Sequence, residues 1–228
     1  MQKTLLIALR VTAVTLVLTG ILYPYVITGL AQVLFPWRAN GSLVTDDRGQ
    51  VVGSEVIGQG FTHPAYFQPR PSAAGNGYDA TASSGSNLGP TSKKLQDRVI
   101  QDLARLKEEN PAAQGEVPIE LVTTSGSGLD PHLSLQAVLW QLPRVANARG
   151  VAPERVQAAV EAAQESRDLW LLGEPRVNVL LLNLALDRQF GHPAPAQVRE
   201  RKDQLGEHSI STQPARLNTQ PAGEDTTQ

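Results

Sequence analysis

The sequence predicts an α+β protein, in which a single N-terminal transmembrane helix precedes one domain with a small sheet and several helices. Two observations support this prediction. No charged residue occurs from Val11 to Leu34, a run longer than a core helix of a small domain requires. After it, short β-favouring runs are mixed with amphipathic helical patterns, as in an α+β domain. The predicted boundaries are 1–37 for the anchor, 38–190 for the domain and 191–228 for a disordered tail.

The charges on either side of the uncharged run predict how the anchor lies in the membrane. Lys3 and Arg10 precede the run, whereas Asp46 and Asp47 follow it. The positive-inside rule therefore places the N-terminus in the cytoplasm and the domain on the outer side of the membrane. Aromatic side chains, which favour the membrane interface, cluster near the exit of the run. They are Tyr23, Tyr25, Phe35 and Trp37.

A cleaved signal peptide is the alternative interpretation of this segment. Gly29 and Ala31 have the spacing of a cleavage site, but the run is longer than a signal core and its exit end is bulky. Pro24 is expected to kink the helix or to end it early, because its ring removes a backbone donor. A face for packing on another membrane helix is formed, at helical spacing, by Thr12, Thr15, Thr19 and Tyr23.

A hairpin and an ordered loop are predicted at the start of the domain. Residues 41–44 and 51–57 favour strands and are separated by a turn-forming sequence. The segment 58–90 is rich in Gly, Pro and Ser, yet it contains Phe61, Tyr66, Phe67 and Tyr78. A flexible linker would not carry so many rings, so this segment is expected to pack on the core and to carry function.

Four helices and one strand are predicted in the rest of the domain. The first helix spans 91–109, and a strand follows at 117–122. The second helix begins at Asp130 as N-cap and ends at Gly150, with Pro143 as a kink or break. The third runs from Pro153 to about Ser166, and the fourth is a buried helix from Arg176 to Gln189.

Composition and motifs exclude several classes of function. The net charge of -2 provides no basic surface for nucleic acid, and the absence of cysteine excludes thiolate metal sites. No phosphate-binding loop or dinucleotide fingerprint occurs in the sequence. The four histidines are too far apart to form a zinc motif, so we predict neither a bound metal nor a bound cofactor.

Two other functions remain open on the residues alone. A serine hydrolase would use Ser125 or Ser127 as nucleophile, His132 as base, and Asp130 or Asp187 to orient it, although no nucleophile-elbow motif is present. The simpler interpretation is a glycine-serine turn before a helix. An anchored small-solute binding module is the second of these functions, but the sequence indicates no convergent polar pocket for it.

A series of motifs resembles the C subunits of Kdp-type potassium-transporting ATPases. The series begins with Gly58-Gln59 and Phe61, and continues with Gln68-Pro69-Arg70-Pro71-Ser72-Ala73-Ala74, Tyr78-Asp79-Ala80 and Ser84-Gly85-Ser86-Asn87-Leu88-Gly89-Pro90. Further motifs occur at 121–132, at 144–150 and at 172–180. The resemblance covers the chain from the anchor to about Asp187, and the tail departs from the family pattern.

The resemblance implies an accessory subunit of a high-affinity, ATP-driven potassium uptake complex. The implied partners are a channel-like subunit that binds potassium and a P-type subunit that hydrolyses ATP. Such subunits are described as catalytic chaperones, with nucleotide contact through the motif Ser125-Gly126-Ser127-Gly128. Because a domain outside the membrane does not meet cytoplasmic ATP, we expect it instead to stabilise the outer face of the channel-like subunit. ATP would act through the complex, and K⁺ would be the transported ion.

Candidate contact residues for these partners are the four on the anchor face and the polar members of the matched motifs. The latter are Arg70, Tyr78, Asp79, Asn87, Arg149, Arg176 and Asn178.

Overall fold

The computed structural model describes residues 1–193 and has the predicted α+β class. It forms a long N-terminal helix and a domain with two small antiparallel sheets and several helices. Most of the predicted tail, residues 194–228, lies outside the described residues.

The N-terminal helix is continuous from Gln2 to Leu34 and is long and apolar enough to cross a membrane. It consists of α1 (Gln2–Val17), a π-helical turn (Leu18–Leu22) and α2 (Tyr23–Leu34). Pro24 does not end it. The π-helical turn ends two residues before the proline, and the Tyr23 N–H bonds to the Leu18 carbonyl, five residues back. The wider turn thus accommodates a residue that cannot donate to its own preceding turn.

A short helix and a hairpin connect the anchor to the domain. Helix α3 (Pro36–Ala39) precedes β1 (Leu43–Thr45) and β2 (Val51–Ser54), which pair antiparallel, so the predicted hairpin is confirmed with shorter strands. The Trp37 indole donates to the Leu43 carbonyl at 3.1 Å. The end of the anchor is therefore fixed to the first strand.

The segment between β2 and the next helix has no regular structure, yet parts of it are in the core. Ala65, Phe67 and Ala74 are fully buried. Burial of the Phe67 ring alone contributes roughly 1.5–3 kcal/mol. The expectation of an ordered loop packed on the core is therefore confirmed.

Helix α4 (Lys93–Glu109) confirms the first predicted helix, but the predicted strand 117–122 is wrong. A 3-10 turn, Ile119–Leu121, occupies that position. Pro118, which lacks an N–H, precedes this turn, and Pro118 and Leu121 are both buried. A spacing of three residues places both side chains on the same side of a 3-10 turn, whereas a strand would place them on opposite faces.

The second predicted helix begins later than expected. Asp130 is not its N-cap, because His132–Leu133 forms β3, and Ser134 instead caps α5 (Leu135–Arg149) by accepting from the Ala137 N–H at 3.2 Å. Pairing with a distant strand therefore overrides the local Asp-Pro signal. Pro143 lies inside α5 without breaking it, and Gly150 ends the helix in the left-handed conformation, as predicted.

The last two predicted helices are shorter at the ends that join the second sheet. Helix α6 (Pro153–Ala162) stops before β4 (Gln164–Glu165), and β5 (Arg176–Asn178) precedes α7 (Val179–Phe190). The sheet order is β3-β5-β4, with all pairs antiparallel. Three residues are too few for helical or strand periodicity to be distinguished, so the prediction extended the helix through β5.

One hydrophobic core unites these elements. Side chains from the 58–90 segment, α4, α5, α6, β5 and α7 contribute to it, and its largest fully buried members include Phe67, Leu133, Leu182 and Leu186. The core thus holds the irregular segment against the helices.

Candidate functional site

Helix α5 holds the irregular segment 58–90 through two arginines that face the core. The Arg144 guanidinium donates to the Tyr66 carbonyl at 3.0 Å, and also to the Pro64 carbonyl. Its other nitrogens bond to the Asn110 side chain and to Gln141, each at 2.8 Å. Burial lowers the pKa of Arg144 to about 10, and nearby charges oppose one another. The positive charge at neutral pH is therefore retained for binding these carbonyls.

The second arginine, Arg149, belongs to a buried ion pair. Its guanidinium bonds to the Asp187 carboxylate and to the Ala65 carbonyl, each at 2.8 Å, and lies 5.0 Å from the centre of the Tyr66 ring. The Tyr66 hydroxyl donates to the other Asp187 oxygen at 2.8 Å. Burial and this contact with Asp187 raise the pKa of Tyr66 to about 12. The cluster fixes the 65–66 backbone between α5 and α7.

Two buried amide side chains complete this attachment. The Asn183 amide accepts from the Phe67 N–H at 2.9 Å and donates to the Phe67 carbonyl at 3.0 Å. Gln141 does the same for the Gln68 backbone, with distances of 2.9 and 3.0 Å. Each side-chain amide thus makes the two hydrogen bonds that a neighbouring strand would make. The buried backbone of Phe67 and Gln68 is therefore satisfied without a sheet.

Arg70 connects the same segment to the turn that follows the 3-10 element. Its guanidinium lies 3.3 Å from the Asp130 carboxylate and from the Thr123 carbonyl, and 3.4 Å from the Thr124 carbonyl. Burial raises the pKa of the Asp130 carboxyl, but hydrogen bonds from His132 and the charges of His132 and Arg70 together hold it below its ordinary value. Asp130 therefore remains ionised as the anchor point of Arg70.

Tyr78, predicted as a contact residue, serves the loop itself. Its hydroxyl donates to the Arg70 carbonyl at 2.6 Å, and burial raises its pKa to about 12. The Ser72 hydroxyl donates to the Gly128 carbonyl at 2.6 Å and accepts from the Tyr78 N–H at 2.8 Å. The Tyr78 backbone has a positive φ of 55°, a conformation that these contacts support.

The predicted nucleotide motif, Ser125 to Gly128, also bonds to a later part of the same loop, at Ser83 and Ser84. The Ser127 carbonyl accepts from the Ser84 N–H at 2.9 Å and from the Ser83 hydroxyl at 3.0 Å. A Cβ on Gly128 would lie 2.5 Å from the Ser84 carbonyl oxygen. Glycine is thus required here for close backbone approach, which is a structural use of the motif.

The hydrolase arrangement predicted as an alternative is not assembled. Within residues 1–193, no hydrogen bond joins His132 to Ser125 or Ser127; the two hydroxyls lie 3.4 Å from each other. The His132 ring instead lies 3.4 Å from Asp130 and 3.9 Å from Glu165. Asp187, the other candidate orienting residue, is paired with Arg149. The serines therefore have no general base.

The remaining predicted contact residues lie at three separate places. Asp79 accepts from the Thr81 N–H and hydroxyl, and these bonds lower its pKa. Asn87 is exposed, with a φ of 51°. The Arg176 guanidinium bonds to Glu165 at 3.0 Å and to Asp168 at 3.1 Å, whereas Asn178 caps α7 and donates to the Glu55 carbonyl at 2.7 Å.

The predicted face of the anchor is exposed along its length. The hydroxyls of Thr15 and Thr19 donate to carbonyls four residues back in the same helix, at 2.7 and 2.8 Å. Thr12 and Tyr23 are exposed as well. With these two hydroxyl donors already used inside the helix, the threonine methyl groups remain for packing against another membrane helix.

The structure therefore brings Arg70, Tyr78, Arg149 and the Ser125–Gly128 turn together around one loop. It leaves Arg176 and Asn178 on the second sheet. Gln141, Arg144 and Asn183 were missed as functional candidates, although they bond directly to the loop. Asn110, which accepts a hydrogen bond from Arg144, was missed as well. The available signal was a polar residue inside each of two otherwise apolar helix faces, at Gln141 and Asn183.

Clusters of at least three metal-ligating side chains are absent among the described residues, so these residues indicate no metal centre. A cleft of about 770 Å³ beside Gly85 includes Lys93, Lys94, Asp97 and Arg98 in its lining. The cationic side chains of this cleft suit an anion. No residue of the Ser125–Gly128 motif lines the cleft.

Comparison with known proteins gives a consistent match. Residues 5–188 match the family model described as KdpC, K⁺-transporting ATPase, c chain. The chain is similar to the potassium-transporting ATPase KdpC subunit of Myxococcus xanthus, with 66% identity over 195 residues, covering 86% of this chain and 92% of the relative. The KdpC subunits of Rhodospirillum rubrum and Koribacter versatilis are 54% and 50% identical, over 83% and 86% of this chain and 98% and 100% of their own lengths.

Proposed function

The chain belongs to the KdpC family of potassium-transporting ATPase subunits, and on this basis we propose that it is the accessory subunit of an ATP-driven potassium uptake complex. The observation that carries the proposal is the extent of the match. It runs from residue 5 to residue 188 and so includes the membrane helix together with nearly all of the described domain. Anchor and domain therefore both belong to the part of the chain that matches the family.

We propose further that the chain supports assembly and acts as a catalytic chaperone for the ATP-hydrolysing P-type subunit. The domain would rest on the outer face of the channel-like, potassium-binding subunit, while the Thr12–Tyr23 face packs on its membrane helices. The many bonds on segment 58–90 support this role, because a preorganised loop loses little conformational entropy when a partner binds it.

Any effect on ATP would be transmitted through the complex, in this proposal. The Ser127 carbonyl and Gly128 are used to close the loop on Ser83 and Ser84, which argues against a phosphate-binding role for this turn. The charges of Lys3 and Arg10, near the N-terminal end of the helix and before its uncharged run, support a cytoplasmic N-terminus in the inner membrane, with the domain outside.

Growth at limiting potassium tests the proposal. In a strain without other high-affinity uptake, deletion of the gene should abolish growth at micromolar potassium and spare growth at millimolar potassium. The full-length gene should restore growth, and purification in mild detergent should recover larger multispan partners. A double Ser125→Ala, Ser127→Ala variant should also restore growth. Normal growth of the deletion strain, or rescue that requires either serine hydroxyl, would contradict the proposal.

A further inference from the structure

A loop between β4 and β5 exposes four consecutive large apolar side chains. Leu169, Trp170, Leu171 and Leu172 are 85%, 91%, 77% and 57% exposed. The other exposed large apolar residues in the described part of the domain occur singly, which is ordinary for a protein surface. A contiguous apolar tip, in contrast, marks an interaction site. This loop, residues 168–172, is called the apolar tip below.

The tip is held outward by its own backbone. Asp168 and Leu172 exchange two backbone hydrogen bonds of 2.9 Å across the turn. Leu169 and Trp170 have φ angles of +52° and +62°, a conformation that costs roughly 1–2 kcal/mol per residue for side chains with a Cβ. Strain at two bulky residues is the kind that persists at functional sites.

Charged residues fix the base of the tip. Asp168 lies 3.1 Å from the Arg176 guanidinium, and Arg176 also contacts Glu165 at 3.0 Å. Arg167 bonds to Glu174 at 2.6 Å. The loop therefore has an uncharged end on a charged base, which is the polarity of a segment that enters the boundary between lipid headgroups and acyl chains.

The base lies beside the exit of the anchor. Asp168 and Arg176 line a cleft of about 560 Å³ together with Trp37 and Arg38. Trp37 follows directly on the membrane-crossing helix and is fixed to β1 through its indole N–H. The base of the apolar tip thus lies next to the residues that mark the membrane interface. The bilayer is therefore the apolar phase nearest to the tip.

We propose that the apolar tip inserts into the bilayer surface at the exit of the anchor, as a second point of membrane attachment. With the helix as the first, two attachments would limit how the domain tilts and rotates over the membrane. The inference requires only the anchor, so it stands or falls independently of the role in potassium uptake.

Lipid-dependent fluorescence of a label on the tip tests the proposal. The chain has no cysteine, so Leu171→Cys gives one labelling site in the full-length protein, and Ile119→Cys, 75% exposed, is the matched control. Both are labelled with a polarity-sensitive nitrobenzoxadiazole dye and reconstituted in phosphatidylcholine vesicles. At Leu171→Cys, we expect a blue-shifted emission, loss of intensity with nitroxide-labelled acyl chains, and protection from iodide. Ile119→Cys should show none of these.

Two outcomes would overturn the proposal. One is equal iodide quenching at both positions in vesicles, which would place the tip in water. The other is protection of Leu171→Cys that arises only after assembly with partner subunits and resists lipid quenchers, which would make the tip a protein contact. A second measurement needs no cysteine. Tryptophan emission of the unlabelled protein is recorded in vesicles of brominated lipid, and the quenched fraction should be larger in the wild type than in Trp170→Phe.

Discussion

At the scale of single residues, the ion pair between Arg149 and Asp187 is deeply buried, with side chains only 2% and 9% exposed. We expect Arg149→Met to lower the free energy of unfolding by about 3 kcal/mol, since it leaves a buried carboxylate without its countercharge. Urea unfolding of the full chain in detergent, followed by tryptophan fluorescence, measures this. Arg188→Met is the control; its pair with Asp47 is exposed, so its loss should cost less than about 1 kcal/mol. Equal losses in the two variants would contradict the prediction.

Asp130 makes stability depend on pH in the acid range. Its pKa is lowered in the folded state, so its contribution is present above the unfolded pKa of about 3.9 and is lost as the pH falls through the lower folded value. Asp130→Asn should therefore be less stable than the wild type at pH 7, and the difference should shrink below about pH 4. Urea midpoints measured across this range test the prediction. Asp47→Asn removes a carboxylate from an exposed ion pair and is the control, for which we expect no comparable decrease of the stability difference from the wild type.

At the scale of elements, the closure of the Ser125–Gly128 turn on residues 83–85 depends on one glycine. Gly128→Ala would place a methyl group 2.5 Å from the Ser84 carbonyl oxygen and 2.8 Å from the Ala74 nitrogen. Gly115→Ala is a matched control, because Gly115 also has a positive φ but nothing within 4 Å of the added Cβ. We expect Gly115→Ala to lower the free energy of unfolding by about 1 kcal/mol, from backbone strain alone, and Gly128→Ala to lower it clearly more.

Limited proteolysis provides the second measurement for this pair of variants. Cleavage within residues 83–90 should be faster in Gly128→Ala than in Gly115→Ala, because the turn no longer closes on the loop. Indistinguishable cleavage and stability would show that the close approach is not needed.

The elements that the sequence predicted well are those with many periodic residues. Helix α4 and the long N-terminal helix were found because their patterns extend over several turns. The strands of the second sheet, such as His132–Leu133, were missed, because pairing with residues more than 40 positions away overrides a local Asp-Pro signal. The loop contacts of Arg144 and Asn183 were missed for the same reason, since the residues they bind are distant along the chain.

At the scale of the whole molecule, the proposed orientation predicts which residues meet the outside of the cell. A chain without cysteine allows single-cysteine labelling with a membrane-impermeant maleimide. In bacteria with a permeabilised outer membrane, Ser127→Cys, an exposed position, should be labelled, whereas Gln2→Cys should react only after the inner membrane is broken. The reverse pattern would place the domain in the cytoplasm, where direct binding of ATP to the domain would again be a valid hypothesis.

The amide pairs of Asn183 with Phe67 and of Gln141 with Gln68 also set an order of events in biogenesis. They join residues 116 and 73 positions apart. The backbone of Gln68 can therefore pair once α5 has been synthesised, whereas the backbone of Phe67 has to wait for Asn183 in α7. The attachment of residues 66–67 is consequently completed last, when the chain is nearly complete. A truncated or stalled chain would present an unformed loop, and partner subunits that recognise the finished loop would join only full-length copies.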